Sequence, residues 1–479
     1  MTPEEFRQAG HQLIDWIADY RRQIESRPVK AQVKPGEVAA ALPAEPPTGL
    51  VAIEDLLADL DRVVVPGAFL AQHPMHYGWF PSNASLSSVL GDIASSGLGT
   101  FGISWESCPA LTEVEEVVVD WLRQLTGLSD AWHGTIHDTA STACLVAMLA
   151  ARERATDHSQ ARGGLATHGS APVVYATAQS HSSVRKAALL AGYGSDHLRI
   201  VADDPVTRAM DVAALGRAMA DDATAGRTPA AVVATVGTTG TTALDPLVEV
   251  VAAAAEHGAW VHVDAAMAGS AMLLEEYRPL WEGVEGADSL SWNPHKWMGT
   301  ILDTSLFFVR DVQHLVRVMS TNPSYLQSNA DGDVVQYRDW GIPLGRRFRA
   351  LKLWFHLRLD GVDAIKDRIR RDLANARWLE EQVVAAPDWE LVAPVTLQTV
   401  CVRHRPADLA GAALDAHTTA WCDALNDSGR AYVTRSQLDG SWMVRVSVGV
   451  EQTERHHVEA LWQLMQQAAA TSAEGRAAR

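Results

Sequence analysis

Lys296 stands between two aromatic side chains, His295 and Trp297, which raises the question of a chemical role for its amine. A lysine that is partly withdrawn from water has a lowered pKa, and its amine can form a Schiff base with an aldehyde. Upstream, the mostly apolar residues 261–266 contain a single carboxylate, Asp264. Pyridoxal 5'-phosphate (PLP) needs such a lysine and an acid partner for its pyridine nitrogen, so these two residues are candidates for the two roles. On spacing alone, a structural ion pair is an equally good interpretation.

Further segments carry groups that suit the same cofactor. Residues 139–142 (Thr-Ala-Ser-Thr) open a predicted helix, whose first N–H groups can bind a phosphate, although plain N-capping explains the hydroxyls as well. The glycine- and threonine-rich residues 237–242 follow a predicted strand and either offer more hydroxyls or form an ordinary loop. His181 lies after another strand and could stack on a flat ring, but a lone histidine is more often structural.

The composition limits the partners and the compartment. The chain has 479 residues and a net charge of −18, which disfavours nucleic acid and anionic membranes as partners. We see no apolar run long enough for a membrane span and no signal-peptide pattern at the start. The four cysteines form no CxxC pair, and the histidines show no metal-ligand spacing. We therefore predict a cytoplasmic protein without a bound metal.

Short apolar runs alternate with helical stretches in the middle of the chain, which predicts an α/β domain with a mostly parallel sheet. The predicted strands cover residues 172–177, 198–202, 230–236, 260–264, 288–292 and 305–309. In such sheets, ligands bind at the carboxyl ends of the strands. Because Asp264 ends one strand and residues 293–296 follow another, we expect both to reach one cofactor.

Different patterns flank this domain. Amphipathic helices are predicted at residues 3–25 and 53–64, the first opened by a capping box of Thr2 and Glu5. These helices have apolar faces but too few residues to form a core, so we expect them to pack on another surface, such as a partner subunit. Beyond residue 361, a charged helix, short apolar runs and a last helix predict a smaller α+β domain.

Several motifs together give the chain a specific resemblance. They are His73-Pro74 with residues 79–81 (Trp-Phe-Pro), Ser104-Trp105, residues 109–113 (Pro-Ala-Leu-Thr-Glu), residues 293–297 (Asn-Pro-His-Lys-Trp) and the long residues 342–354. Through nearly the whole chain, the sequence resembles the PLP-dependent group II decarboxylases, specifically the aromatic L-amino acid decarboxylase family. The resemblance implies the type I fold of PLP-dependent transferases and a homodimer. It predicts a helical dimerisation segment at 1–80, a PLP-binding large domain at 81–360 and a small α+β domain at 361–479.

The resemblance also assigns roles around the cofactor. Lys296 would hold PLP, and Asp264 would keep the pyridine nitrogen protonated. Tyr325, ahead of a polar stretch that suits a mobile lid, would donate the proton that completes the amine product. The remaining cofactor residues are Ala140, Ser141, Asn293 and His295 around the phosphate, the catalytic His181 stacked over the ring, Ala266 beneath it, and Thr238 or Thr239 beside it. Asp138 and Thr139 replace a more usual Gly-Ser pair at the phosphate.

The substrate pocket implied by the resemblance is apolar and favours an aromatic side chain. Its residues are Trp79, Phe80, Ser82, Phe101, Ile103 and Gly345. Ser82 replaces a frequent threonine and keeps the hydroxyl. Gly345 leaves room where some relatives that use phenolic substrates carry serine, which favours tryptophan or a hydroxylated indole.

The function predicted in this way is decarboxylation of an aromatic L-amino acid to its amine and CO₂, with tryptophan, tyrosine, phenylalanine or a hydroxylated analogue as substrate. A second candidate is decarboxylation coupled to oxidative deamination, which gives an aldehyde. Family members of that kind have phenylalanine for the lid tyrosine or lack the stacking histidine, whereas this chain keeps Tyr325 and His181. Two more candidates are a decarboxylase of acidic amino acids, which would need an additional cation in the pocket, and a PLP-binding protein without turnover.

Overall fold

Seven short strands form one mixed sheet in the computed structural model, which describes residues 1–321, 323–326, 330 and 332–477, without the side chains of Tyr325 and residues 473–477. The strands are β1 (His133–His137), β2 (Pro172–Thr177), β3 (Leu198–Val201), β4 (Thr228–Thr235), β5 (Trp260–Asp264), β6 (Ser289–Trp292) and β7 (Ser305–Val309). Their order across the sheet is β1-β7-β6-β5-β4-β2-β3. The strand β7 runs against its neighbours, since it pairs antiparallel with both β1 and β6. The predicted α/β fold with a mostly parallel sheet is confirmed.

The described part of the chain contains fourteen α-helices. They are α1 (Pro3–Arg22), α2 (Glu37–Ala40), α3 (Ile53–Asp59), α4 (Leu86–Leu98), α5 (Pro109–Leu125), α6 (Ala140–Ala155), α7 (Ser182–Leu190), α8 (Val212–Thr224), α9 (Leu247–Ala255), α10 (Val312–Met319), α11 (Ala350–Leu359), α12 (Val362–Ala385), α13 (Gly411–Asp427) and α14 (Arg455–Ala477). Over the described residues, none of these helices is both long enough and apolar enough to cross a bilayer.

Chain contacts divide the protein into two compact units. The first comprises residues 1–81, 377–392 and 401–479, and the second comprises residues 82–376 and 393–400. The second unit contains the seven-stranded sheet. Most of a four-stranded sheet lies in the first unit, with strands β8 (Trp389–Leu391), β9 (Thr399–His404), β10 (Thr434–Leu438) and β11 (Ser441–Ser447) in the order β10-β11-β9-β8. The division at residues 80 and 360 stays a prediction.

The helix α6 occupies the core of the second unit. Its alanines and other small apolar residues pack on β2, β4 and β7, and Ala143, Val146, Ala147 and Ala150 are fully buried. Buried residues occur on every face of the helix between Ala143 and Ala151, as is typical of a helix in the core. Because only two residues separate β1 from α6, the helix begins at the same edge of the sheet at which β5 ends.

The first helix has the predicted start. The side chain of Thr2 accepts a hydrogen bond from the Glu5 N–H, and the Glu5 carboxylate accepts one from the Thr2 N–H, which is a complete capping box. None of the described residues of α1 is buried, and Phe6 and Ile14 are among its exposed apolar side chains. The helix ends at Arg22, and a short 3₁₀ turn at Ile24–Ser26 follows it.

The strand β1 was not predicted, because His133–His137 contains glycine and two histidines and has no apolar alternation. A buried charge network holds it in place. The Glu115 carboxylate accepts hydrogen bonds from the Ile136 N–H at 2.8 Å and from the Thr135 hydroxyl at 2.9 Å. Arg346 donates to the same carboxylate at 2.5 Å and to the Ile136 carbonyl at 3.0 Å.

We expect Glu115→Ala to lower the free energy of unfolding by about 3–5 kcal/mol, because it leaves the Arg346 guanidinium buried without its counter-charge. Asp120→Ala, on the same helix, removes a carboxylate that is 49% exposed and pairs with Arg123, and it should cost less than about 1 kcal/mol. Urea unfolding followed by circular dichroism measures both changes. Equal losses in the two variants would contradict the structural role of the buried pair.

Candidate active site

The loop that carries Lys296 is joined to the loop after β5. The chain leaves β6 at Trp292, and residues Pro294–Met298 form a single wide helical turn that is interrupted at Lys296, where φ is −99° and ψ is −109°. The Lys296 N–H donates to the Asn293 carbonyl at 3.0 Å, and the Asn293 N–H donates to the Ala266 carbonyl at 2.9 Å. These bonds place the lysine and the end of β5 at one edge of the sheet.

Two residues of α12 clamp this loop from behind. The Arg368 guanidinium donates to the carbonyls of Trp297 and Met298, both at 2.6 Å. The Trp297 indole N–H donates to the Asp372 carboxylate at 2.9 Å, and Asp372 is fully buried. On the other side, the Asn83 amide donates to the Lys296 carbonyl at 3.3 Å. The backbone of Lys296 is therefore held on both sides.

Asp264 is the last residue of β5 and is buried. One of its oxygens accepts a hydrogen bond from the Ala266 N–H at 3.0 Å, which turns the chain sharply after the strand. Ala266 itself is partly exposed and carries only a methyl group, so a flat ring can lie over it.

His181 lies within electrostatic reach of both key residues. Its Nδ1 accepts a hydrogen bond from the Ser183 N–H at 3.2 Å, so the neutral ring carries its proton on Nε2. Although the residue is exposed at the surface, partial withdrawal of its ring from water lowers the pKa of His181. The positive charge of Lys296 lowers the same pKa further, whereas Asp264 opposes the shift. The three groups therefore form one cluster.

The N-terminus of α6 offers an anion site. Thr139 is the N-cap, and its side chain caps no N–H among the described residues. The N–H groups of Thr142 and Ala143 return to the Thr139 carbonyl, which leaves those of Ala140 and Ser141 at the open end of the helix. Such N–H groups and the helix dipole favour a phosphate.

Two residues near Lys296 supply further donors. His295 is buried, and its Nδ1 accepts the Thr304 N–H at 3.0 Å, so Nε2 carries a proton. Burial and then the charge of Lys296 lower the pKa of His295 to about 4, which keeps the ring neutral near pH 7. The Asn293 oxygen accepts the Ser305 hydroxyl at 2.6 Å, and this bond leaves the Asn293 NH₂ group to serve as a donor.

Thr238 and Thr239, which the sequence does not distinguish, differ in burial. Thr238 is fully buried, and its hydroxyl accepts the Ala243 N–H at 2.9 Å, which closes the loop after β4. Thr239 is partly exposed at the loop surface. We therefore favour Thr239 as the side chain beside the ring and assign Thr238 to the loop.

The predicted substrate residues fall in both compact units. Ser82, Phe101, Ile103 and Gly345 belong to the second unit, where the Gly102 N–H donates to the Arg346 carbonyl at 2.9 Å and brings 101–103 next to Gly345. Trp79 and Phe80 belong to the first unit. The Trp79 ring packs on Phe69 and Tyr432 with centroids 5.0 and 5.1 Å away. Tyr325 lies in the turn Ser324–Leu326, and its side chain is outside the described part of the structure.

Sequence reasoning missed the clamp of Arg368 and Asp372. The two residues are four positions apart in a predicted charged helix, a spacing that usually indicates a surface ion pair. Only the packing of α12 shows that Asp372 is fully buried and that Arg368 reaches backbone carbonyls. The sequence offered one signal, Trp297 next to Lys296, because the indole N–H of a tryptophan that becomes buried requires an acceptor.

We expect Arg368→Ala to weaken PLP binding and lower turnover by about tenfold to a hundredfold, because the backbone of Lys296 loses its support. Arg370→Ala is the matched control on the same helix, since Arg370 pairs with Glu276 and both side chains are about half exposed. Cofactor titration of the apoprotein by fluorescence measures the effect. A loss of equal size in the control would show that the clamp has no specific role.

Comparison with known proteins agrees with this geometry. A family model described as the pyridoxal-dependent decarboxylase conserved domain matches residues 35–405. The chain is 38% identical to tryptophan decarboxylase 2 of Oryza sativa subsp. japonica, with 97% of this chain and 94% of that protein covered. It is also 38% identical to phenylacetaldehyde synthase of Arabidopsis thaliana, with 98% and 96% covered.

A solved structure shows the same similarity in three dimensions. The crystal structure of Oryza sativa TDC with PLP and tryptamine superposes with a TM-score of 0.95 at 37% identity, and it covers 98% of this chain and 99% of that one. Both the type I fold and the use of PLP follow from these matches. The chain belongs to the pyridoxal-dependent decarboxylase family, within group II.

Proposed function

We propose that the protein decarboxylates an aromatic L-amino acid to the corresponding amine and CO₂. The observation that carries this proposal is the cluster at the carboxyl edge of the sheet, where Lys296, Asp264 and His181 interact next to the open N-terminus of α6. The cluster combines an amine, a carboxylate, an aromatic ring and an anion site, and these are the groups that bind PLP.

The residues present fit PLP group by group. The helix N-terminus and the neutral His295 offer N–H donors to a phosphate, and the small Ala266 leaves one side of a flat ring open. The buried carboxylate of Asp264 suits a protonated pyridine nitrogen. When bound, PLP supplies an acceptor for the electron pair that remains after CO₂ leaves. Asp264 holds the proton on the ring nitrogen, and the Lys296 amine binds the cofactor and yields its place to the substrate amine.

The proposed substrate is an aromatic amino acid, with tryptophan or a hydroxylated indole preferred. A Cβ atom at Gly345 would have no atom within 4 Å apart from its chain neighbours, so the space next to this position is open. The similarity to a tryptophan decarboxylase supports the same choice. A decarboxylase of acidic amino acids is less well supported, because none of the six residues proposed for the pocket is basic.

We also propose that the enzyme is a cytoplasmic homodimer. The exposed apolar face of α1 supports the dimer, because Phe6 is 62% exposed and no described residue of the helix is buried. An exposed face of this kind marks an interaction surface. The four cysteines are free thiols, which supports a reducing compartment.

The aldehyde-forming reaction is the second candidate, because the phenylacetaldehyde synthase is as similar to this chain as the tryptophan decarboxylase. Release of CO₂ from a panel of amino acids tests the main proposal and identifies the substrate. We expect release from tryptophan above that from tyrosine, phenylalanine and glutamate, with one amine formed for each CO₂. Turnover of glutamate alone, or PLP binding without any CO₂, would overturn the proposal.

Tyr325→Phe should lower amine formation and raise the yield of aldehyde and hydrogen peroxide, because the carbanion left after CO₂ release then lacks its proton donor. Chromatography of amine and aldehyde, with a peroxide assay in parallel, measures the partition. Tyr277→Phe, outside the proposed site, is the matched control. Unchanged amine output in Tyr325→Phe would remove Tyr325 from the mechanism.

A further inference from the structure

Asp264 accepts fewer hydrogen bonds than a buried carboxylate normally does. Within the described part of the chain, the Ala266 N–H is its one hydrogen-bond donor. An ionised carboxylate offers about four acceptor sites, and unfilled sites in the interior are costly. The pyridine nitrogen of the cofactor accounts for one further site. At least one site therefore remains for a donor from the protein.

Two unpaired hydroxyls lie on either side of this carboxylate. In the sheet, Asp264 is the register partner of Thr235 on β4 and of Ser291 on β6, so the three side chains point to the same face. The hydroxyl oxygens of Thr235 and Ser291 are buried and have no hydrogen-bond partner among the described residues. A buried hydroxyl normally has a partner, so both indicate an acceptor nearby.

His262 adds a third donor on the same face, two residues before Asp264. The Trp260 indole N–H donates to the Ser289 oxygen at 2.8 Å, and the Ser289 hydroxyl lies 2.9 Å from Nδ1 of His262. When this hydroxyl donates its proton to Nδ1, the neutral ring carries its own proton on Nε2, which is buried and lacks a partner in the described structure. Burial lowers the pKa of His262 to about 4, so the ring is neutral near pH 7.

We propose that Thr235, Ser291 and His262 form a donor cradle that positions Asp264 and sets its proton affinity, by direct hydrogen bonds or through a shared buried water. This inference rests on the proposed function, since it concerns the carboxylate that faces the cofactor nitrogen. The three are positioning residues, because they act through Asp264.

The donor cradle has a definite electrostatic consequence. Hydrogen bonds to a carboxylate favour its charged form and so lower its proton affinity. The proton shared between Asp264 and the pyridine nitrogen then stays on the nitrogen, which keeps the ring able to accept electrons. Removal of the donors moves this proton towards the carboxylate and slows the loss of CO₂.

The test uses the holoenzyme reconstituted with PLP labelled with ¹⁵N in the ring. The double variant T235V/S291A removes both hydroxyls with little change of shape, and Thr126→Val removes a buried hydroxyl at the end of α5 as a control. We expect the ¹⁵N resonance to move from the protonated towards the unprotonated position in the double variant only. Because the nitrogen then holds the proton less well, kcat should fall about tenfold while KM is retained.

His262 provides an independent arm of the test. His262→Phe should shift the ¹⁵N resonance in the same direction, and His262→Gln, whose amide keeps an N–H donor, should restore it at least in part. If His262→Phe does not fold, the ¹⁵N resonance of T235V/S291A alone tests the donor cradle. An unchanged ¹⁵N resonance in the double variant overturns the donor cradle. Absence of bound cofactor or of CO₂ release in the unmodified protein overturns the proposed function instead.

Discussion

The hydrogen bond from the Asn293 N–H to the Ala266 carbonyl is the interaction on which the site depends. It joins the chain just after β5 to the chain just after β6, and so it fixes a carboxylate and an amine that are 32 residues apart in sequence. The parallel pairing of β5 and β6 brings their carboxyl ends to the same edge of the sheet, but it does not fix the conformation of the loops that follow. The clamp of Arg368 and Asp372 then holds the outer side of the same loop.

Burial has a second role around this bond, because it controls protonation. Burial lowers the pKa of His295 and that of His262 to about 4, so both rings are neutral near pH 7. The Thr304 N–H sets the tautomer of His295, and the Ser289 hydroxyl contacts Nδ1 of His262. Neither histidine therefore adds a positive charge to that of Lys296.

Much of this organisation was predictable from the sequence. The runs at 172–177, 260–264 and 305–309 are strands with the predicted bounds, because all three are fully buried and therefore read as continuous apolar segments. The candidates Asp264, His181 and Lys296 could be found because their residue types carry the chemistry. The strand β1 escaped prediction, since Glu115 and Arg346 stabilise it from distant positions. The partnership of Arg368 with the lysine loop also depends on tertiary packing, which local periodicity does not encode.

The pairing of Gly102 with Arg346 has a consequence for how the pocket can change. The two residues exchange backbone hydrogen bonds in both directions, at 2.9 and 3.3 Å, while the Arg346 side chain is bound to Glu115 in the interior. The backbone next to Phe101, Ile103 and Gly345 is thus fastened to the core and has little freedom to be remodelled by insertion. Divergence of substrate range on this scaffold should proceed by exchange of single side chains, with the loops conserved in length.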